Sequence, residues 1–222
     1  GHIRINYEDP LEHANLWGAH SGVTVRYRMP VMNSIVEEDP YEAGRIIPDL
    51  AKDWTEASDL MGITINFEDG IKWHNGDDFT CEDVRFTIET MVTGNGLTAS
   101  EMAGKLSLID LDATTCENDQ TLKLQFKGPS ATALLAFTDR AFLIFNKAWF
   151  EAGGEDAMFN DVSVGTGPFK WADGQSVGVD EQVFEKNAEY FKPGLPYVDK
   201  VTVFGILDES IQQASMLAHL TD

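Results

Sequence analysis

Histidine, cysteine and acidic side chains are the residues of this 222-residue chain that could bind a metal or catalyse a reaction. The five histidines contain no HxxxH or HxH spacing, and Cys81 and Cys116 form no CxxC pair, so the sequence does not predict a preformed metal site. No GxSxG string is present, which removes the nucleophile elbow of many hydrolases. We therefore predict a protein that is not an enzyme and that holds no metal or cofactor.

The other candidate motifs have structural interpretations. The chain has 37 acidic residues, so the runs at 37–39 and 77–78 are interpreted as solvated faces rather than as the paired carboxylates of a glycosidase. Residues 165–168 (Gly-Thr-Gly-Pro) lack the third glycine of a dinucleotide loop and predict a tight turn before a strand. Cys81 and Cys116 could form one disulfide in an oxidising compartment, but two inert thiols are the favoured interpretation.

Composition excludes several classes of partner. Sixteen Lys and Arg against 37 Asp and Glu give a formal charge of −21, which does not suit nucleic acid or an anionic membrane surface. Hydrophobic residues make up 43% of the chain, enough for a folded core, and no apolar run reaches the roughly 20 residues of a membrane span. The sequence predicts a globular chain of one large or two small domains.

Hydrophobic periodicity predicts mixed α and β elements. Residues 3–7 alternate like a strand, and the i, i+4 spacing of apolar residues over 23–35 favours a helix. Residues 61–67 alternate and turn at 68–70 into 71–73, which predicts a hairpin. Further predicted elements are a helix capped by Thr80 and Asp83 that runs to about Val92, a hairpin of 106–111 with 122–126, helices over 131–137, 147–152 and 210–220, and strands over 142–145, 169–172, 182–185 and 201–207.

Five short strings, in order along the chain, resemble the family 5 extracytoplasmic solute-binding proteins, which are the peptide and nickel receptors of bacterial ABC importers. They are residues 47–54 (IPDLAKDW), 67–84 (FEDGIKWHNGDDFTCEDV), 165–169 (GTGPF), 186–191 (KNAEYF) and 196–201 (PYVDKV). The resemblance spans about Leu16 to Asp222. Each string alone is weak, but their order and spacing make coincidence improbable.

The resemblance implies an α/β fold, namely lobe I of a two-lobe periplasmic binding protein of type II, with a mixed sheet and an inserted α+β subdomain. Residues 1–53 would form the first part of lobe I, 54–161 the inserted subdomain, and 162–222 the return of the chain to lobe I near the hinge. The second lobe would be missing from this chain, because family members are more than twice as long.

The function implied by the resemblance is the receptor component of an ABC importer. It would bind oligopeptides or dipeptides between two lobes and deliver them to a membrane permease, as an extracytoplasmic or periplasmic monomer with or without a lipid anchor. Nickel chelates, oligosaccharides and opines are alternative ligands. The fold also occurs as the ligand-sensing module of regulators, and a carbohydrate-binding or hydrolytic domain is a further alternative.

Arg140 is the residue that the resemblance singles out for ligand binding. In the nickel-receptor branch an arginine at the matching place binds the carboxylate of a metal chelate, and a guanidinium suits that task because it donates two parallel hydrogen bonds. An ion pair between Arg140 and Asp139 or another acid is the alternative. Leu97 and Met102 would form part of the nearby wall.

The loop before residue 22 holds the other predicted ligand contacts. By the resemblance it follows the first strand and faces the cleft. We therefore expect His20 or Ser21 to contact the ligand and Trp17 to stack on it, the alternative being an ordinary surface loop.

Overall fold

The computed structural model describes residues 1–15, 17, 22–95, 98–160 and 164–222, apart from the side chains of Glu155 and Met158. Strands and short helices alternate in these segments. The strands are β1 (His2–Tyr7), β2 (Val36–Glu38), β3 (Ile46–Pro48), β4 (Ala51–Glu56), β5 (Gly62–Phe67), β6 (Thr115–Asn118), β7 (Thr121–Gln125), β8 (Phe169–Trp171), β9 (Glu181–Lys186) and β10 (Lys200–Gly205). The helices are α1 (Gly22–Arg28), α2 (Cys81–Thr93), α3 (Met102–Lys105), α4 (Lys147–Asn160) and α5 (Glu209–Leu217), with a 3-10 helix at Ala133–Thr138.

The strands form two four-stranded sheets and one two-stranded ribbon. The first sheet has the order β1-β10-β9-β8, in which β1 runs parallel to β10 and the other pairs are antiparallel. The second sheet, β4-β5-β7-β6, is antiparallel throughout. The ribbon pairs β2 with β3. The predicted α/β class and mixed sheet are therefore confirmed.

Alternating apolar residues bury one face of the second sheet. Ile63, Ile65 and Phe67 of β5 and Leu122 and Leu124 of β7 are each at most 4% exposed. This period of two is the pattern of a strand with one face on a core. Helix α2 covers the same core with Val84, Ile88 and Met91, which share one helix face as predicted.

The predicted hairpin partners were wrong in two places. Strand β5 pairs with β4 and β7, whereas residues 71–73 form a tight loop with a single bridge between Lys72 and Asp78. Residues 106–111 are not a strand either: of the predicted pairing with 122–126 only an isolated antiparallel bridge between Ile109 and Phe126 forms, and β7 pairs with β5 and β6. Leu106 and Ile109 are both buried, but Leu106 is the C-cap of α3, so strand-like pairing is confined to Ile109.

Two other segments differ from their predicted type. The helix predicted over 23–35 ends at Arg28, two residues before Pro30, which cannot continue a helix. Residues 142–145 are buried as predicted but are not a strand, because their backbone groups bond elsewhere. The Ile144 amide donates to the Asn33 carbonyl at 3.0 Å and the Phe145 amide to the Thr87 hydroxyl at 3.0 Å.

Most of the strings that carry the family resemblance meet at residues 30–34. The Gly167 amide donates to the Val31 carbonyl at 3.0 Å, and a Cβ on Gly165 would lie 1.7 Å from the same oxygen, so only glycine fits there. The Gly167 carbonyl accepts from His74 Nε2 at 3.0 Å and from Asn187 Nδ2 at 3.1 Å. These contacts fix a junction between the sheets, and the candidate site lies beside it.

Candidate ligand-binding site

A cavity of about 310 Å³ lies between α1, the β2–β3 ribbon and the end of the 3-10 helix. It falls at the lower end of the size range of small-molecule sites. Its walls come from segments that are far apart in sequence: Met29, Met32, Asn33, Ser34, Val36, Glu37, Glu38, Asp49, Thr138, Asp139, Arg140, Leu143, Pro168 and Tyr190. The lining of the cavity therefore combines apolar side chains with charged groups of both signs.

Arg140 supplies the positive charge of one wall. Its neighbour Asp139 forms an ion pair with Lys105 and accepts the Ala141 amide at 2.8 Å. Burial opposes ionisation of Asp139, but the Lys105 ammonium and the Ala141 amide outweigh it and lower the pKa of that carboxyl. Because Asp139 is engaged by Lys105, Arg140 forms no ion pair with any residue that the structure describes, and its side chain is exposed.

The start of α1 lies beside this arginine. A Cβ built on Gly22 would be 4.0 Å from a terminal nitrogen of Arg140. The guanidinium therefore lies near the N-terminus of α1.

Another wall of the cavity is organised by Asp49, which directly follows β3 and is 2% exposed. One carboxylate oxygen accepts from Lys192 Nζ at 2.7 Å and from Asn33 Nδ2 at 2.8 Å, and the other accepts the Ser34 amide at 2.8 Å. Asn33 also donates to the Tyr190 hydroxyl at 3.3 Å. Three donors therefore satisfy this buried carboxylate, as a buried charge requires.

Glu37 carries the unbalanced negative charge of that wall. It lies on β2, opposite Ile47 of β3, so its carboxyl faces Asp49 at the end of the ribbon. Partial burial and the neighbouring Asp49 charge raise the pKa of Glu37 to about 7, although Lys192 opposes the shift. Within the described segments, Glu37 forms no ion pair of its own.

The predicted site residues fall into three groups. Arg140 lines the cavity. Trp17 and Met102 are core side chains, 2% and 0% exposed, and the Trp17 ring lies 4.6 Å from that of Phe145 and 5.4 Å from that of Phe150. His20, Ser21 and Leu97 lie outside the described residues. The burial of Trp17 and Met102 leaves them little surface for a ligand, while the role of Arg140 stays a prediction.

Sequence reasoning missed Glu37, Asp49 and Tyr190. Glu37 belongs to an acidic run that was interpreted as a solvated face. A signal was available for the other two, because Asp49 and Tyr190 are polar residues inside two of the family-like strings. Buried polar residues need partners, so such positions are natural members of one network.

Two other classes of site were searched for in the same segments. Among the described residues, no group of three or more His, Cys, Asp or Glu side chains could hold a metal ion. None of the helices in those segments is both long and apolar enough to cross a membrane.

The sequence matches the family model of the bacterial extracellular solute-binding proteins, family 5 (middle region), over residues 45–220. The chain belongs to this family. Membership places it among solute-binding proteins rather than enzymes, and confirms the resemblance carried by the five strings. A family 5 relative in Brucella ovis, described as an ABC transporter peptide-binding protein, is 29% identical over 172 residues, which are 75% of this chain and 30% of the relative.

Solved structures show the same fold for this family 5 chain. Haemophilus influenzae OppA in complex with RPPGFSPFR superposes on this chain with a TM-score of 0.85 at 21% identity. The superposition covers 100% of this chain and 45% of the OppA chain. A dipeptide-binding protein from Pseudoalteromonas in complex with Met-Leu superposes with a TM-score of 0.86 at 18% identity. This superposition covers 100% of this chain and 46% of the dipeptide-binding protein. The chain thus has the fold of part of a periplasmic binding protein, and spans less than half the length of these neighbours.

Proposed function

We propose that this chain is the lobe I part of the solute receptor of an ABC importer, and that its ligands are short peptides. Family membership supports the receptor role, and relatives named as peptide-binding support the ligand class. In this proposal the protein works outside the cytoplasm, in the periplasm or on a lipid anchor, as a monomer that delivers its ligand to a membrane permease.

The observation that carries the proposed site is Arg140, which lies beside a cavity and forms no ion pair within the described part of the chain. An exposed guanidinium in a chain of charge −21 has many acidic side chains available, yet its adjacent Asp139 pairs with Lys105 instead. We propose that Arg140 binds a carboxylate of the ligand through two parallel hydrogen bonds.

We also propose that residues 54–161 form an inserted subdomain of lobe I, between the parts 1–53 and 162–222. The sheet arrangement supports this division, although β4 (Ala51–Glu56) of the second sheet crosses the boundary between 53 and 54. The strands of the first sheet come from 2–7 and 169–205, and those of the second come from 51–125.

The test is a titration of the isotope-labelled 222-residue protein with the dipeptide Met-Leu, followed by NMR. We expect the amide signals of residues 138–143 to shift, and Arg140→Gln to weaken binding about 10-fold or more, since hydrogen bonds to charged groups contribute about 1.5–3 kcal/mol. Arg85→Gln is the matched control, because Arg85 lies on α2 outside the cavity and should leave the affinity unchanged.

Two results would contradict the proposal. Equal binding of Met-Leu by the Arg140→Gln variant would remove the assigned role of the arginine. Binding of an oligosaccharide, with no response to Met-Leu or to the nickel complex of histidine, would overturn the peptide assignment.

A further inference from the structure

An ion pair between Lys105 and Asp139 joins the end of α3 to the residue that precedes Arg140. The two partners are 34 residues apart in the sequence. Lys105 is the last residue of α3, and the first, Met102, is 0% exposed, so the core fixes the helix from which the ammonium extends. Asp139 lines the cavity, whereas Lys105 does not. The contact through which Lys105 reaches the cavity is therefore Asp139.

The turn after the 3-10 helix places the Asp139 carboxylate close to Arg140. Asp139 Oδ1 accepts the Ala141 amide at 2.8 Å, and the Asp139 carbonyl accepts the Phe142 amide at 2.8 Å. Burial raises the pKa of Asp139, but the Lys105 ammonium, the Ala141 amide and the Arg140 guanidinium together lower it. The Arg140 charge therefore acts on this carboxylate, although Lys105 acts on it more strongly.

Lys105 occupies the position that Arg140 could otherwise take on Asp139. The Lys105 ammonium donates to Asp139 Oδ2 and the Ala141 amide donates to Oδ1, so both carboxylate oxygens are engaged. The exposed Arg140 side chain forms no ion pair within the described part of the chain. Without Lys105, the carboxylate would lie beside a guanidinium of its own turn, and these two groups pair readily. Asp139 would then compete with any carboxylate that a ligand brings.

We propose that Lys105 is a positioning residue for ligand binding, which occupies Asp139 and so leaves the Arg140 guanidinium free for the ligand carboxylate. The proposal rests on the function proposed above, in which Arg140 binds that carboxylate. It adds that a residue outside the cavity controls the availability of the arginine. Removing the Lys105 charge should make Asp139 an internal competitor of the ligand.

The first test measures the availability of Arg140 without any ligand. Phenylglyoxal modifies arginines that are accessible and not paired with a carboxylate, and mass spectrometry reports the rate at each arginine. We expect Lys105→Gln to slow the modification of Arg140 about 3-fold relative to the wild type, because Asp139 then holds the guanidinium in an exposed ion pair. Lys105→Arg keeps a cation on Asp139 and should keep the wild-type rate.

A double variant distinguishes a positioning role from a structural one. In Lys105→Gln, Asp139→Asn the competing group is neutral, so the modification rate of Arg140 should return to that of the wild type. If Lys105 and Asp139 only stabilised the fold, removing both charges would be at least as harmful as removing Lys105 alone. Recovery is therefore expected from competition and not from the loss of a structural ion pair.

The second test repeats the comparison with the dipeptide Met-Leu, followed by NMR. We expect Lys105→Gln to bind Met-Leu about 3- to 5-fold more weakly than the wild type, and the double variant to recover. Lys123→Gln is the matched control, because Lys123 forms an exposed ion pair with Glu117 on the second sheet and does not line the cavity. Its affinity should equal that of the wild type. The amide spectra of all variants report whether the fold is kept.

The outcomes separate this inference from the proposed function. If Lys105→Gln leaves the modification rate of Arg140 unchanged, or the double variant does not recover, the positioning role of Lys105 is wrong, whereas carboxylate binding at Arg140 is unaffected. If the rates change as expected but the wild type and Arg140→Gln bind Met-Leu equally, the binding role of Arg140 is overturned, and Lys105 controls only the pairing of that arginine.

Discussion

His74 is a half-buried histidine whose charge state is tied to folding. Its Nε2 bonds to the Gly167 carbonyl, so that nitrogen carries the proton in the neutral ring. Its Nδ1 is buried and has no described partner, so a second proton would place an unsatisfied charged donor inside the junction. Burial lowers the pKa of His74 to about 4 from 6.5, although the bond to Gly167 opposes the shift.

The expected consequence is a loss of stability in mild acid. Between pH 6.5 and about 4 the unfolded chain binds a proton at His74 that the folded chain does not, so the free energy of unfolding falls as pH falls through this window. The shift corresponds to about 3 kcal/mol, at 1.36 kcal/mol for each pKa unit. Replacing His74 by Gln, which can still donate to Gly167, should flatten this dependence in urea unfolding measured from pH 4 to 7.

The wild type and the His74→Gln variant must be compared at each pH, because Glu37 makes the free energy of unfolding change with pH in the opposite direction. Its raised pKa means that the folded chain holds the extra proton between 4.5 and about 7. Both proteins contain Glu37, so its contribution cancels when the free energy of unfolding of the variant is subtracted from that of the wild type. A difference that stays constant from pH 4 to 7 would show that His74 does not titrate as described.

At the residue scale, sequence reasoning assigned Arg140 a ligand-binding role, which stays a prediction. Arg140 was identified because a cation is rare in this acidic chain and because the family resemblance gave its position a role. Trp17 was placed in a loop open to ligand, but it is buried by Phe86, Phe145 and Phe150. These rings are remote in sequence, and no local pattern shows that they meet.

At the scale of elements, Asp83 connects three segments. Its carboxylate accepts the Thr80 amide at 2.9 Å, Trp73 Nε1 at 3.3 Å and the Lys147 amide at 2.8 Å. The start of α2, the loop before it and the start of α4 are thereby joined. The sequence predicted the Thr80 and Asp83 cap, because both residues belong to one helical turn, but it could not predict the long-range bond to Lys147.

The difference between local sequence patterns and long-range contacts also explains the wrong element assignments. Residues 106–111 alternate in polarity, yet Leu106 ends the helical turn of α3 and only Ile109 pairs with Phe126, and the alternation alone cannot decide between the two conformations. Residues 142–145 are apolar enough for a buried strand, but Asn33 and Thr87 take the hydrogen bonds that a neighbouring strand would have made. Burial was predictable here, and the hydrogen-bond partner was not.

The disulfide between Cys81 and Cys116 is a second long-range link, and it corrects the prediction of two inert thiols. Cys81 is the first residue of α2 and Cys116 lies on β6, so the bond holds α2 against the edge of the second sheet. A disulfide also suits a protein that works outside the cytoplasm.

Loss of this bond should lower stability measurably. The cysteines are 35 residues apart, and closing a loop of that length removes about 3–4 kcal/mol of unfolded-chain entropy. We expect the double variant Cys81→Ser, Cys116→Ser to unfold at lower urea than the oxidised protein. Reducing agent should affect the wild type alone, and an unchanged wild-type midpoint under reducing conditions would contradict the structural role of the bond.

At the scale of the whole molecule, the relatives make the most important comparison. This chain covers 45% of OppA and 46% of the dipeptide-binding protein, while both superpose along its full length. In the proposed two-lobe protein, a ligand held in lobe I is enclosed by a second lobe that closes over it about a hinge. Affinity then comes from contacts to both lobes and from exclusion of water.

The 222 residues alone should therefore bind peptides weakly. The cavity of about 310 Å³ opens to solvent at Arg140 and Glu37, so a bound dipeptide keeps much of its surface hydrated and pays the full cost of being immobilised. We expect a dissociation constant above about 1 mM for Met-Leu by calorimetry or NMR, and at least about 100-fold tighter binding by a chain that includes a second lobe. A submillimolar constant for the 222-residue protein would mean that the cavity is a complete site, and that closure of a second lobe is not needed for recognition.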